Sequence, residues 1–509
     1  MTTLATPSEI DWRRLNTRML LIHPVVEVGR ALPAIVAALL AGHGTNAGTI
    51  WAATIAGIVA AVSIIRWFTT RYRITVERIE LRRGLVRRRT LSAPLDRVRT
   101  VDVTSHLLHR LLGLARVVIG TGTSDRKGRD RVILDGLTLP EAAGLRVELL
   151  HRTHAPVPTD VGVPVLAEQD VEQDLVRADP RWLRFAPFTL TGAVTGLALL
   201  GVLWRVVNEA HLNVSTLGPV RDVSHRLERW PLAGAVAVVA AGVVAFVVIA
   251  STVGYVLAFW RFRLTRHIGG TLHVTRGLLT TRATSIEQRR LRGAEVSEPL
   301  LLRSVHGARC LAIATGLRVG RGAERGGEIL LPPAPRAAAI SLAARVIGTD
   351  APFTEALTRH PIAARRRRVI RALAGTVVLV VAAALGVGFG HWPVWVLVVA
   401  AVSAGAAVPL GIDRYHSLGH ALTGGYLVTR YGTIVRRRSA LQIDGVIGWN
   451  IARSYFQRRA GLASLTATTA AGRQQYKITD INDAEAVAFA NATTPNLLTQ
   501  FLADRQRPV

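Results

Sequence analysis

The side chains from which a metal or acid–base site would be assembled are few and widely spaced. His416 and His420 stand four apart, which on a helix would turn two imidazoles to one face, while His106/His109 and His151/His154 stand three apart. The flanking sequence does not complete the four-ligand set that zinc demands, so these pairs read as polar interface histidines. Cys310 is the only cysteine, which excludes an intramolecular disulfide and suits a small buried hydrophobe. Gly320-Arg-Gly322-Ala-Glu-Arg-Gly326 has the composition of a phosphate cradle, but neither the glycine spacing nor the strand–turn–helix setting. With no nucleophile–base pair and no metal set, the sequence predicts a non-enzymatic chain without catalytic residues, metal or cofactor.

The charge is more informative. The 509 residues carry a formal charge of +29, nearly all of it arginine, with Lys127 and Lys477 the only lysines. Such a surplus asks for an anionic partner, either nucleic acid or phospholipid. Nucleic-acid readers add stacking aromatics or a recognition helix, whereas aromatics here are only 6% of residues and lie mostly at the ends of apolar runs. No nucleic-acid partner is expected. The arginines beside those runs (Arg66, Arg71, Arg73, Arg261, Arg263, Arg266, Arg365, Arg366, Arg367 and Arg368) are candidates for contact with anionic lipid headgroups. Glu27 and Arg30, at or within the first run, form a candidate intramembrane charge pair. The alternative is an interfacial pair from which Arg30 snorkels to the surface.

The apolar runs number six, in three pairs: about 25–40 and 47–68, 185–207 and 231–259, 370–389 and 392–412. Most approach the roughly 20 residues a helix needs to cross the hydrocarbon. The first is uninterrupted only over 31–41, which leaves open whether it crosses. The turns at 42–48 and 390–391 lack Lys and Arg, whereas arginines crowd the opposite ends. The positive-inside rule then predicts a multi-pass protein of the plasma membrane with both termini and the polar segments cytoplasmic.

After the second run of each pair the sequence repeats. Gly84, Gly277 and Gly432 each precede a β-prone stretch. Val98, Leu291 and Val446 follow fourteen residues on, and Arg110, Arg303 or Arg458 stands shortly before Gly113, Gly307 or Gly461. Alternation such as Ile79-Glu-Leu81 argues half-buried antiparallel strands. Helical patterns at 139–149, 335–347 and 482–491 close the copies. Several short strands capped by one helix describe a small β-sandwich or open barrel.

Pro94-Leu-Asp96-Arg97-Val-Arg-Thr-Val-Asp102, Leu108-His-Arg110-Leu-Leu-Gly113-Leu114 and Gly120-Thr-Gly122 resemble the bacterial pleckstrin-homology-like membrane-flanked domain family. The whole arrangement is similar to its three-domain YdbT-type members, and His23-Pro24 and His360-Pro361 look like that family's entry motif. The second copy departs most: it has Glu287-Gln-Arg-Arg-Leu291 where the first has Pro-Leu-Asp-Arg, and no His-Pro. The resemblance implies pleckstrin-homology-like (PH-like) folds without catalytic residues. It further implies a role in envelope defence against antimicrobial peptides beside a single-domain, YdbS-like companion. Pro94, Asp96, Arg97, Arg110, Gly113, Gly307 and Gly461 are read as fixing a turn and a strand crossing, because comparable positions recur in every copy.

The expected organisation is six membrane helices plus three cytoplasmic PH-like β-domains, each ending in a helix. Residues 1–69 hold the N-terminal segment and first span pair, and 70–153 the first domain. An acidic, proline-containing linker (154–182), the second pair (183–260) and the second domain (261–349) follow. A basic linker with the third pair (350–412), the third domain (413–503) and a tail (504–509) complete the chain. The expected function is a membrane-associated scaffold or binding platform in envelope maintenance, in the setting of antimicrobial-peptide resistance or export. The alternative is a transporter or lipid-handling protein using the spans as a pathway. Anionic lipids and the companion are the expected partners, and the oligomeric state is not readable from sequence.

Overall fold

The computed structural model describes residues 12–41, 46–75, 77–84, 89–95, 100–120, 132–151, 173–189, scattered positions over 192–205, 231–267, 270–316 and 329–495. The chain forms two compact units, Met1–Arg177 with Leu257–Gln288, and Ala178–Val256 with Arg289–Val509.

In the first unit, β1 (Arg13–Arg14) leads into the helices α1 (Met19–Ala41) and α2 (Asn46–Thr69). Strands β2 (Arg71–Ile74), β3 (Arg78–Arg83) and β4 (Arg89–Pro94) complete an antiparallel sheet in the order β1-β2-β3-β4. Then come β5 (Thr100–Ser105), α3 (Leu107–Leu111), β6 (Leu114–Gly120), β7 (Val132–Thr138) and α4 (Leu139–His151). These three strands share a seven-stranded sheet with β8 (Gln173–Arg177), β9 (Arg263–Arg266), β10 (Thr271–Arg276) and β11 (Thr281–Glu287), in the order β7-β6-β5-β11-β10-β9-β8. Alternation along the strands turns Ile79, Leu81, Val101, Val117, Ile119 and Leu134 into one core. Met19 and Ile22 of α1 and Trp67 of α2 belong to that same core, and the Trp67 indole donates to the Asn16 carbonyl at 3.2 Å. The ends of the helix pair are therefore part of the β-domain's interior. Fully burying each such side chain stabilises by about 1.5–3 kcal/mol.

In the second unit, a 3₁₀ segment (Pro180–Phe188) precedes α5 (Leu232–Phe259), whose end continues into the first unit. Next are β12 (Leu291–Pro299), α6 (Leu300–Ser304), β13 (Gly307–Ala314), β14 (Ile329–Pro335), α7 (Arg336–Ile347) and α8 (Ala351–Thr354). The hairpin of α9 (Ile362–Phe389) and α10 (Trp395–His416) follows. After it come β15 (Gly419–Thr423), β16 (Tyr426–Tyr431), β17 (Val435–Gln442), β18 (Gly448–Ala452), α11 (Tyr455–Arg459), β19 (Leu462–Thr468), β20 (Gln475–Asn482) and α12 (Asp483–Thr493). One sheet runs β14-β13-β12-β17-β16-β15, and a second runs β18-β19-β20. Strands from different stretches of sequence thus form single sheets, β5 with β11 and β12 with β17.

Four described helices are long and apolar enough to cross a membrane: Asn46–Thr69, Ala233–Phe259, Ile362–Phe389 and Trp395–His416. Their apolar side chains point outward, as Val378, Leu385, Val398 and Val402 do. Small residues face inward where α9 and α10 meet, and a Cβ on Gly411 would stand 3.0 Å from the Val369 Cα. The first expected run lies within α1, which keeps Glu27 and Arg30 in its middle. The run expected at 185–207 is described only in part, with its first residues in a 3₁₀ segment, and Asp96, Arg97 and most of the linker lie outside the described residues.

The motif glycines need one correction. Gly113 and Gly461 have φ of +70° and +64°, and each carbonyl accepts from the first residue of the closing helix, Leu139 or Asp483. In the middle stretch that conformation belongs to His306 (φ +57°), whose carbonyl accepts from Arg336. Gly307, aligned by sequence with the other two, is a glycine for a different reason. A Cβ there would come within 2.6 Å of Leu302 and 2.7 Å of Phe185. An L-residue in this left-handed turn costs about 1–2 kcal/mol, and β-branched residues tolerate it worst. Gly113→Val is therefore expected to lower Tm by several degrees, and His306→Gly to leave it unchanged or raised. Thermal unfolding of the solubilised chain reads both.

Candidate functional site

β7, β14 and β20 each carry a bulge. Pairing shifts between Ala115 and Arg116 against β7, between Ala308 and Cys310 against β14, and between Ala463 and Ser464 against β20. The residues left over are Gly136, the Pro332–Pro333 step and Asp480. A bulge leaves a carbonyl outside the ladder, and here each one accepts from a residue on, or just before, a long helix. Asn16 N–H donates to Gly136 O at 3.2 Å, the Tyr255 hydroxyl to Pro333 O at 2.9 Å, and His360 Nδ1 lies 3.1 Å from Asp480 O.

The third of these docks is the most polar. Asp480 is fully buried, with φ of +64°. Its carboxylate meets Arg367 at 2.5 Å and Arg368 at 3.0 Å, and accepts from Gln457 at 2.8 Å. Beside it, His360 Nε2 lies 3.2 Å from His420 Nδ1, and His420 Nε2 lies 3.3 Å from Glu485. With His360 Nδ1–H donating to the Asp480 carbonyl, its Nε2 must accept, so His420 donates from Nδ1. Burial is the main force on both rings and pushes each pKa down to about 4; for His360 the Asp480 carbonyl opposes this, while His420 and Arg368 add to it. Both are neutral at pH 7. The group ties α9, β15, β20 and α11 together, and among the described residues no cluster of His, Cys, Asp and Glu could hold a metal.

His416 and His420 do not share a helix, in keeping with their reading as polar interface residues rather than paired ligands. The helix ends at His416, and His420 lies in β15, because the chain leaves α10 through Ser417 to begin a strand. His106 instead meets Thr280 at 3.1 Å, and His109 meets Asp135 at 3.2 Å. Cys310 is fully buried, and burial pushes its thiol up to about 12.

The candidate lipid-facing arginines divide. Arg66, Arg71, Arg261, Arg365 and Arg366 are exposed. Arg73 pairs with Glu80 at 2.7 Å and lies over Trp12, Arg263 bonds Asp174 at 2.6 Å, and Arg367 and Arg368 serve Asp480. Arg266 is partly buried and engaged. Glu27 and Arg30 bond each other at 2.7 Å. The motif arginines join neighbouring stretches: Arg110 donates to Leu278 O at 2.7 Å, and Arg303 meets Asp413 at 3.1 Å, while Arg458 is exposed. Pro94 ends β4. An open groove of about 790 Å³ is lined by apolar and basic side chains, among them Arg184, Phe185, His306, Arg336, Ile340 and Arg345.

Several buried carboxylates are invisible to the sequence pattern. Asp480 is one. Glu295, on β12, accepts from Ser439 at 2.9 Å and lies 3.2 Å from Arg473; burial raises its pKa despite that arginine. A lone acid in a strand leaves no spacing to read.

Removing one partner of a buried ion pair costs about 3–5 kcal/mol. Asp480→Ala should therefore unfold the second unit at a markedly lower temperature, while Arg366→Ala should not. The histidines add a pH signature. Their folded pKa values lie below the ordinary 6.5, so their contribution is intact above about pH 6.5 and is lost as pH falls towards 4. Tm should drop over that window, and His420→Leu should flatten the slope.

Residues 26–153 and 371–492 match the family model of the bacterial PH domain. No curated protein and no solved structure matches the chain. The first matched stretch holds α2, β2–β7 and α4; the second holds most of α9, then α10, β15–β20 and α12. The chain thus carries two copies of the bacterial PH domain beside several apolar helices of membrane-crossing length, a combination that points to a membrane-associated protein.

Proposed function

We propose that the protein is a non-enzymatic platform of the plasma membrane, in which three PH-like units, each behind a pair of spans, are held at the cytoplasmic surface as binding modules for envelope maintenance. The supporting observation is the way helix ends are built into the domains. Met19, Ile22 and Trp67 lie in the first core, and Arg367 and Arg368 at the start of α9 close on Asp480. A domain fastened this way has little freedom to leave the bilayer, which suits presentation of a surface. The middle unit, β9–β14 with α7, follows the same order of elements as the two matched copies. A single-domain companion is the expected partner, in peptide resistance or export. Anionic headgroups are the expected lipid partners of the exposed arginines, each worth about 1 kcal/mol near the surface.

Topology is tested by cysteines at Asn46, Lys127 and Arg473 in intact cells. An impermeant reagent should label the first alone; reaction at Lys127 sinks the orientation. Lipid contact is tested on the full chain in nanodiscs, because a strand-only fragment would lack Met19, Ile22 and Trp67. Anionic phospholipid should raise Tm, salt should erode the gain, and the double substitution Arg365→Gln, Arg366→Gln should reduce it. A gain indifferent to salt and lipid charge overturns this part of the reading.

A further inference from the structure

The two seams between stretches of sequence use the same pairing. In the first, β5 pairs antiparallel with β11, with Thr104 opposite Arg282, Val103 opposite Ala283 and Asp102 opposite Thr284. In the second, β12 pairs with β17, with Ser297 opposite Arg437, Val296 opposite Arg438 and Glu295 opposite Ser439. The registers coincide. Arg282 and Arg437 each lie five residues after the turn glycines Gly277 and Gly432. Thr104 and Ser297 each pair with the third residue of the next strand, Arg116 or Arg309.

The same counting leaves one strand of each kind over. β18 corresponds to β5 and β12, since Ala452 pairs with Ser464, the third residue of β19. β4 corresponds to β11 and β17, since Arg89 lies five residues after Gly84. Among the described strands, both end their sheets with one edge unpaired.

Outer edges of natural sheets are blunted by charge, proline, bulges or brevity. Apart from β18 and β4 the others here follow that rule; β4 carries its charge and proline only at its two ends, Arg89 and Pro94. β1 has two residues, and β7 and β20 carry the bulges described above. β8 is bulged and charged, β14 contains Pro332 and Pro333, and β15 is bridged by Thr358. β18, Gly448-Trp-Asn-Ile-Ala452, has no charge, no proline and no bulge in its pairing. Its Asn450 stands where Asp102 and Glu295 stand in the internal seams. Ser439 gives Glu295 a hydroxyl donor there. Opposite β4, position 450 would meet Leu91, which offers none, so an uncharged side chain is the one that fits.

We propose that β18 of one copy of this chain adds to β4 of a second copy, with Ala452 opposite Arg89, Ile451 opposite Thr90 and Asn450 opposite Leu91. The inference rests on the three-unit reading above. The contact is heterologous, a head-to-tail joint that gives a ring where the rotation closes and a filament where it does not. Because it continues the relation that already links successive units of one chain, it keeps every span pair in the same bilayer.

The test uses full-length chains with two different tags, co-expressed, in isolated membranes under mild oxidation. One carries Thr90→Cys and the other Ile451→Cys; a second set carries Leu91→Cys and Asn450→Cys. Adjacent register positions alternate between the wide and close geometries, so at least one set is placed for a disulfide. The expected product is a disulfide-linked pair bearing both tags, at least tenfold above the off-register combination of Thr90→Cys with Gly448→Cys. Val103→Cys with Ala283→Cys in a single chain is the internal control. If the control closes and the intermolecular sets do not, the assembly is wrong and the three-unit reading stands; if the control fails, that reading falls first. A disulfide that forms only when both cysteines share one chain also overturns the proposal. The unsubstituted chain gives an independent measure: native mass spectrometry should find multimers, and a strict monomer at micromolar concentration refutes them.

Discussion

A carbonyl freed by a one-residue bulge in β7, β14 and β20 fastens each of these strands to a residue on, or just before, a long helix. Three different donors use it: a backbone amide at Asn16, a phenol at Tyr255 and an imidazole at His360. The acceptor's position in the domain is constant, whereas the donor varies. This is what a backbone-encoded attachment looks like, because main-chain geometry survives changes of side chain. In the third domain the bulge residue is itself an aspartate, which adds a charge-assisted contact to Arg367 and Arg368. Consecutive residues on a helix are about 100° apart, so a run of four arginines cannot present one face. Two of this run turn to Asp480 and two stay outside.

Much of this was legible in the sequence, for identifiable reasons. Long Ala/Val/Leu runs have one stable solution beside a bilayer, so the apolar helices emerge close to their expected limits. Gly113 and Gly461 were readable because a left-handed turn selects glycine strongly. The middle stretch defeated that logic by one residue: His306 bears the strained conformation, while Gly307 is small to admit Leu302 and Phe185. Two physical demands for glycine look alike in sequence. Histidine spacing carries little for a related reason, since a period of four means something only within an unbroken helix, and α10 stops at His416.

The sharing of sheets was not legible. Alternation reports which face of a strand is buried, never which strand lies beside it, so β5 reads the same whether its neighbour is β4 or β11. The consequence is large. A domain drawn from sequence as 261–349 contributes β9–β11 to one unit and β12–β14 to the other. Domain boundaries in the sequence and cooperative units in the fold therefore differ. Damage to a seam strand should be felt by two sequence domains at once.

Seams made of main-chain hydrogen bonds carry little identity of their own, so their register must be held by side chains. At the second seam Glu295 does this. Opposite Ser439 and near Arg473 it has donors; a slip of one residue would carry it to the other face and leave a carboxylate without them. Burial already lifts its pKa, a sign of how little solvent offsets the loss. The cost of an unpaired buried charge, about 3–5 kcal/mol, exceeds what one strand gains by sliding. Asp102 occupies the same place in the first seam, opposite Thr284. Glu295, in the middle of its seam strand, thus acts as a register lock, and in β18 the corresponding position is the uncharged Asn450.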